Sequence, residues 1–359
     1  MENQGLLFIP DISGFTRFVH ETDINHSRLI IEELLEILIN ANQIGLEVSE
    51  VEGDAILFYR FGDAPPLEEV YKQVEKMFWE FHRHLAAYEY RRYCYCPACS
   101  AAINLSLKVI THYGEFTGYS VKNFHKLIGK DVIVAHQLLK NDIEHHEYWL
   151  ITKNLLHDDK PAYFAEWMQW MNSIKQTENG DIPFHYTQLS ELKHTIPPPQ
   201  SMQLNLAKKV KVISAAGEYD VGILTLLHAS ADFNQRSRWQ VGVKKVEMEN
   251  HFLPRVGMQC RYLLENGDTR IRSSSYSFHP ERIEFSETDE REKSIRHYIL
   301  ERIDDNRSKI SIDVYIEKTL LQPLLFKLAK KKQMEEEMNT SLENLGSLAK
   351  EIKLLEQAG

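Results

Sequence analysis

Asp11 and Asp54 are the residues of this chain best placed to do chemistry. Asp11 follows a short apolar run in "LLFIPDISGFTRF" (residues 6–18). Asp54 lies in "VSEVEGDAILFYR" (residues 48–60), where Gly53-Asp54 makes a tight turn between alternating apolar positions. A packed sheet would hold these two carboxylates close together and facing solvent, an arrangement suited to a divalent cation, which takes oxygen ligands. Taken singly, each has a plainer use: Asp11 as a turn or helix-capping residue, Asp54 as an ordinary hairpin residue.

The elements that must position them can be read from apolar spacing. Leu29, Ile30, Leu34, Leu38 and Ile44 fall at helical intervals and predict a long helix between the two carboxylates. After Pro65 and Pro66, a second helix is predicted from Val70, Val74, Met77, Phe78, Phe81 and Leu85, ending near residue 88. "LSLKVITHYGEF" alternates Leu105, Leu107, Val109 and Thr111 as a central strand ending at His112, Tyr113 and Gly114. A loop, "TGYSVKNFHKLIG", leads into a helix starting near Lys130. "YWLITKNLL" reads as a strand, residues 164–171 as a helix rich in Trp and Met, and "IPFHYTQLSEL" as a last strand. Pro197, Pro198 and Pro199 favour a stiff extended linker and exclude helix. The expected division is a domain over 1–196, a linker over 197–205 and a second domain over 206–359.

The second half opens on "KVKVISAAGEYD" and continues through short helices into alternating strands. Hairpin signals at Asn266-Gly267-Asp268 and Asp304-Asp305-Asn306 part those strands, so a curved antiparallel sheet is expected. From residue 320 to about 355 the spacing of Leu324, Leu328, Met338, Leu342, Leu345 and Ile352 is helical.

Composition narrows the function classes. The 359 residues suffice for two ordinary domains, and a formal net charge of -10 argues against a protein that coats nucleic acid. No apolar run is long enough to span a bilayer, and "MENQGLLFIPD" lacks the features of a signal peptide, so a cytoplasmic location is expected. Three of the four cysteines, Cys94, Cys96 and Cys99, are bunched, unlike a secreted disulfide framework. Their spacing can present three thiolates to one structural zinc, with a fourth ligand from His82, His84, His112, Cys260 or a second chain. Three reduced cysteines packed as small apolar groups is the other reading.

"FIPDISGFT" (residues 8–16) matches the first metal motif of class III nucleotidyl (adenylate/guanylate) cyclases, and "EVEGDAIL" matches their second. The first half therefore resembles that family. The resemblance implies a ferredoxin-like domain in which Asp11 and Asp54 are catalytic metal ligands, with Ile12 contributing its carbonyl. Two Mg2+ or Mn2+ ions would then hold a nucleoside triphosphate. It also implies a homodimer, the carboxylates of one chain facing residues 126–137 of the other. Glu50 and Lys126 fall at the two base-reading positions. A glutamate there suits guanine, whereas Lys126 replaces the usual aspartate or cysteine.

The family's transition-state pair departs further. "DVIVAHQL" puts Ile133 where asparagine belongs and Gln137 where arginine belongs. A neutralising arginine is worth about 10³ to 10⁵ in rate in phosphoryl transfer. Lys122, Lys126 and Lys130, in the preceding loop, are candidates to supply the missing positive charge. Weak cyclisation, another nucleotide reaction or none is therefore expected.

The second half resembles the START and Bet v 1-like SRPBCC superfamily, with "SRWQVGVKKVE" (residues 237–247) similar to its step from second helix to second strand. The whole is then α+β: a cyclase-like domain followed by a helix-grip sheet with a long C-terminal helix. That resemblance implies a small apolar ligand in a cavity lined by Trp239, Tyr262, Tyr276 and Tyr298, although core packing is the plainer role for each. Three functions follow: a divergent cyclase coupled to a ligand-binding domain, an inactive regulatory or dimerising scaffold, or a carrier of lipid or aromatic compounds.

Overall fold

The first strand, β1 (Gln4–Ser13), is central to the first unit because nearly every side chain on both of its faces is buried. The computed structural model describes residues 3–22, 24–91, 97–156, 161–178, 180–197, 204–249, 256–265, 267–291, 293–318 and 331–358. The chain divides into two compact units, Met1–Ala86 with Ser100–Pro198, and Ala87–Cys99 with Pro199–Gly359.

Along the chain β1 is followed by α1 (Phe15–Glu21), α2 (Ile24–Asn40), the hairpin β2 (Glu47–Glu52) and β3 (Ala55–Phe61), and α3 (Leu67–Arg91), of which residues to Ala86 belong to the first unit. The short α4 (Pro97–Ala101) precedes β4 (Ser106–Glu115), the hairpin β5 (Thr117–Val121) and β6 (Phe124–Ile128), and α5 (Lys130–Leu139). The last strands are β7 (Tyr148–Thr152), β8 (Met171–Thr177) and β9 (Gly180–Gln188). The large sheet runs β2-β3-β1-β4-β7-β9-β8, antiparallel except where β4 pairs with β7. Its first four strands, with α2 and α3 as crossovers, make the ferredoxin-like arrangement.

Strand alternation gives this sheet two apolar faces. Leu7 and Ile9 of β1, Ile110 of β4 and Leu150 of β7 pack with Val132, Ala135 and Leu138 of α5. On the other face Trp149 meets Tyr71 of α3 at a ring separation of 6.0 Å. α3 and α2 are tied by Gln73 Nε2 donating to the Ala41 carbonyl at 3.1 Å and by His84 beside Glu33 at 2.9 Å.

Several expected elements differ. Residues 164–171 form no helix: Phe164 stacks on Tyr71 at 5.2 Å and Trp170 lies against Trp149 at 5.3 Å, with its indole donating to Ala162. The aromatic groups are used one at a time for packing, so their spacing carries no helical period. The expected loop after β4 is the β5–β6 hairpin, turned by Lys122 at a φ of 55°. The expected last strand, "IPFHYTQLSEL", is β9, and it pairs with an additional strand, β8.

After residue 203 the second unit forms β10 (Lys209–Tyr219), then α6 (Ile223–Ala231) and α7 (Arg236–Trp239). Six strands follow: β11 (Val243–Met248), β12 (Gln259–Leu264), β13 (Gly267–His279), β14 (Arg282–Asp289), β15 (Ser294–Asp304) and β16 (Arg307–Glu317). They form one antiparallel sheet ordered β10-β16-β15-β14-β13-β12-β11. The final helix, α8 (Lys331–Ala358), places Leu342, Leu345, Leu348 and Ile352 in one core with Ile283, Phe285, Leu300 and Ile310 of the sheet. The helical reading of residues 320–330 lies outside the described residues. Among those described, no helix is long and apolar enough to cross a membrane.

Candidate metal and nucleotide site

The β2–β3 turn is the shortest kind of hairpin, since Glu52 pairs with Ala55 and only Gly53 and Asp54 stand between. Gly53 has a φ of 63°, the left-handed value that a type II′ turn requires at its first central position. Asp54 is thereby turned toward the end of β1, where its carbonyl accepts the Ile12 amide at 3.0 Å. Asp11 sits opposite Ala55 on one side and Lys108 on the other. It shares the face of Leu7 and Ile9, the side of the sheet that carries α5.

Asp11 is 9% exposed, more enclosed than the solvent-facing position expected of it. Burial pushes its carboxyl above the usual carboxylate range, opposed by Lys108 and His146. Asp54 is half-buried and is pushed up to about 6, first by burial and then by the charge of Asp11. Two carboxylates in one another's field titrate as a pair, and a cation between them would relieve their repulsion.

Lys108 was not singled out in the sequence. Its Nζ lies 3.3 Å from Asp11 Oδ1 and 3.5 Å from the Leu139 carbonyl at the end of α5. The signal that could have found it is a lysine inside a strand whose neighbours on both faces are buried. His146 is exposed, yet its backbone carbonyl accepts from Ser13 Oγ at 2.9 Å, which ties the loop after α5 to the end of β1.

Glu50 and Lys126, 76 positions apart, are joined by a hydrogen-bonded ion pair between β2 and β6. On α5, Ile133 is 56% exposed and Gln137 is partly buried, while the neighbouring His136 Nδ1 stands 3.9 Å from Glu52 Oε2. Lys130 is drawn to Glu115 at 3.9 Å. The N-terminus of α5 is anchored by a buried chain of contacts. His112 Nδ1 is 2.7 Å from Thr152 Oγ1 and its Nε2 is 2.9 Å from Asp131 Oδ1, while Asp131 Oδ2 accepts the Glu115 amide at 2.7 Å.

A cavity of about 420 Å³ opens between β8, β9 and the loop after α5, lined by Ile143, Glu144, His145, Lys175, Phe184 and Tyr186 among others. None of Asp11, Glu50, Asp54 and Lys126 lines it.

Of the zinc candidates, Cys94 and Cys96 lie outside the described residues. Cys99 is buried on α4 and Cys260 is buried on β12, with its thiol directed at the Ile271 carbonyl. His112 is engaged by Asp131 and Thr152, and His84 by Glu33. Burial lowers His82 to about 3, and its Nε2 has no hydrogen-bond partner among the described residues. No group of three or more His, Cys, Asp or Glu residues able to hold a metal occurs among the described residues.

In the second unit Trp239, Tyr262, Tyr276 and Tyr298 are all buried. Trp239, Tyr276 and Tyr298 belong to the core under α8, while Tyr262 packs with Phe233, Val243, Met258, Cys260 and Ile271.

A family model described as "Protein of unknown function (DUF2652)" matches residues 31–148, about a third of the chain. A curated protein of Mycobacterium tuberculosis, described as uncharacterized, is 32% identical over 128 residues, which cover 33% of this chain and 56% of that protein. Solved structures similar to the chain include the catalytic core of a rhodopsin-guanylyl cyclase with converted specificity (13% identity, TM-score 0.38, 52% of this chain and 96% of that one). Others are a bacterial light-regulated adenylyl cyclase (15%, 0.40, 54% and 58%) and the adenylyl cyclase CyaB from P. aeruginosa (14%, 0.34, 52% and 93%). Likenesses of this size do not bear on function.

Proposed function

We propose that the first unit is a divergent class III cyclase-like domain that binds a nucleoside triphosphate with Mg2+ or Mn2+ at Asp11 and Asp54 and cyclises it weakly. The observation that carries this reading is the convergence of the two carboxylates, each raised above its usual range, at the end of β1 and the β2–β3 turn. Two carboxylates and the Ile12 carbonyl suit a hard cation that keeps several of its waters, so the donor set fits the group. A metal there would supply charge neutralisation at the phosphates and acidify the attacking hydroxyl.

The residues of the chain do the rest. Lys108, already beside Asp11, is the cation placed to meet phosphate charge. Glu50 and Lys126 offer one acceptor and one donor to the edge of a base, once their mutual ion pair opens. With Ile133 and Gln137 on α5, charge developing in the transition state lacks the guanidinium that the family supplies, so turnover is slow. In a homodimer the carboxylates of one protomer would face residues 126–137 of its partner. Exposed Ile133 also favours a second reading, a nucleotide-sensing or dimerising scaffold without catalysis.

Purified protein incubated with each nucleoside triphosphate and Mn2+ or Mg2+, with products identified by mass spectrometry, separates the two. Cyclic nucleotide lost in an Asp11→Ala, Asp54→Ala variant supports the enzyme. Triphosphate binding without product supports the scaffold, and absence of binding by calorimetry rejects the enzyme and the nucleotide-sensing scaffold, leaving only a dimerising one.

The second unit is proposed as a binding module for a small apolar ligand held between its curved sheet and α8, in the manner of SRPBCC domains. Its support is the interior of Trp239, Tyr262, Tyr276 and Tyr298, where polar and apolar groups are buried together.

A further inference from the structure

Arg236, on α7, has no exposed surface, and its charge is met inside the second unit. Its Nη2 donates to Glu287 Oε1 at 2.5 Å and its Nη1 to Tyr298 Oη at 3.0 Å, while the Tyr298 hydroxyl donates to Glu287 Oε2 at 3.1 Å. The guanidinium carbon lies 4.8 Å from the Trp239 ring centre and 5.5 Å from those of Phe233 and Tyr298. Tyr262 abuts the same group, its ring 6.4 Å from that of Phe233.

Three polar atoms of this cluster have no hydrogen-bond partner among the described residues: Arg236 Nε, Trp239 Nε1 and Tyr262 Oη. Buried groups are rarely left so, because the desolvation cost of an unmet donor exceeds the gain from an ordinary hydrogen bond. The first two can only donate, and the third donates as readily as it accepts. What would satisfy all three is therefore an acceptor.

The local charges restrict the acceptor further. Arg296 stands opposite Glu287 in the β14–β15 register, and Asp289, two residues along, accepts from Thr269 at 2.7 Å. Two cations and two carboxylates thus balance, and an added buried anion would have no counter-ion of its own. A neutral oxygen fits better. Resting on the reading of this unit as a binding module for apolar molecules, we propose that its ligand is an uncharged molecule anchored by a carbonyl oxygen at Tyr262 Oη, Trp239 Nε1 and Arg236 Nε.

Three probes of one shape test this on the full chain: 2-acetylnaphthalene, 2-ethylnaphthalene and 2-naphthoate, with binding followed by tryptophan quenching and native mass spectrometry. The ketone is expected to bind at least tenfold more tightly than either of the others. Tyr262→Phe should cut the ketone's affinity about tenfold while leaving that of the hydrocarbon unchanged. Equal binding of ketone and hydrocarbon overturns the carbonyl anchor but leaves the module intact, and tightest binding of naphthoate overturns the requirement for a neutral ligand. If none of the three binds, the module itself is rejected. A crystal structure with water or another part of the chain on all three donors, in the presence of the ketone, also overturns the proposal.

Discussion

The Ile12 amide donates to the Asp54 carbonyl at 3.0 Å, so the backbone itself, rather than any side chain, fixes the β2–β3 turn against the end of β1. The two carboxylates are held near one another before any cation arrives, and the repulsion is built into the fold.

Asp54 therefore makes stability depend on pH in a particular direction. Its carboxyl is raised to about 6 by burial and by Asp11, so the native state binds more protons than the unfolded chain between the ordinary carboxylate range and that value. The stabilisation is fully present below pH about 3.8 and is lost as pH rises through about 6. Asp54→Asn should melt above the parent protein at pH 7 in EDTA, with the difference vanishing near pH 4. Mn2+ should raise the melting temperature of the parent alone. Thermal denaturation followed by circular dichroism measures both.

Glu50 and Lys126 form a partly exposed pair, of the kind that contributes little to stability because solvent screens it. Glu50→Gln should hardly move a urea denaturation midpoint. In calorimetry the same substitution should lower affinity for the preferred triphosphate about tenfold. Unchanged affinity would remove the pair from the base-reading role.

Restoring the family's pair on α5 is expected to raise activity. Ile133 is exposed and Gln137 is partly buried, so Ile133→Asn with Gln137→Arg should fold normally. Against a contribution of about 10³ to 10⁵ from a well-placed arginine, a gain of at least tenfold in cyclic product is a conservative expectation. No gain in initial rate, with triphosphate binding intact, would mean that catalysis is limited elsewhere.

Asp131→Ala should be the most destabilising of these substitutions. It strips a partner from buried His112 and from the Glu115 amide, at a cost of about 2–3 kcal/mol in urea denaturation. Burial alone would raise the Asp131 carboxyl, but His112, the Glu115 amide and Lys130 hold it below the ordinary value. Its contribution is therefore present above the ordinary carboxylate range and is lost as pH falls through the lowered value. The difference between parent and variant should shrink in strong acid.

Much of this architecture was legible because apolar spacing and turn chemistry agree. Leu34 and Leu38, Val74 and Phe78, and the Gly53-Asp54 turn each point to the element that forms. The pairing of Asp11 with Asp54 was reached through a motif. Its enclosure was not, since Lys108 approaches from β4 and pairing across a sheet leaves no local signal. Residues 164–171 misled because Phe164 and Trp170 serve neighbours on different elements. The same holds for Arg236: in sequence an ordinary charged residue near a tryptophan, it becomes an interior group only when Glu287, 51 positions on, is folded beneath it.

Gly53 carries no functional group, yet the placement of Asp54 depends on its left-handed backbone. A Cβ added there would find room, with the nearest atom, on Phe15, at 3.8 Å. Any penalty would come from the backbone alone, about 1–2 kcal/mol for most L-residues and least for asparagine. In a saturation library scored for nucleotide binding, position 53 would rank beside the carboxylates in sensitivity while position 133 tolerated almost anything. A map of intolerance drawn from such data would trace the geometry of the turn as much as the chemistry it presents.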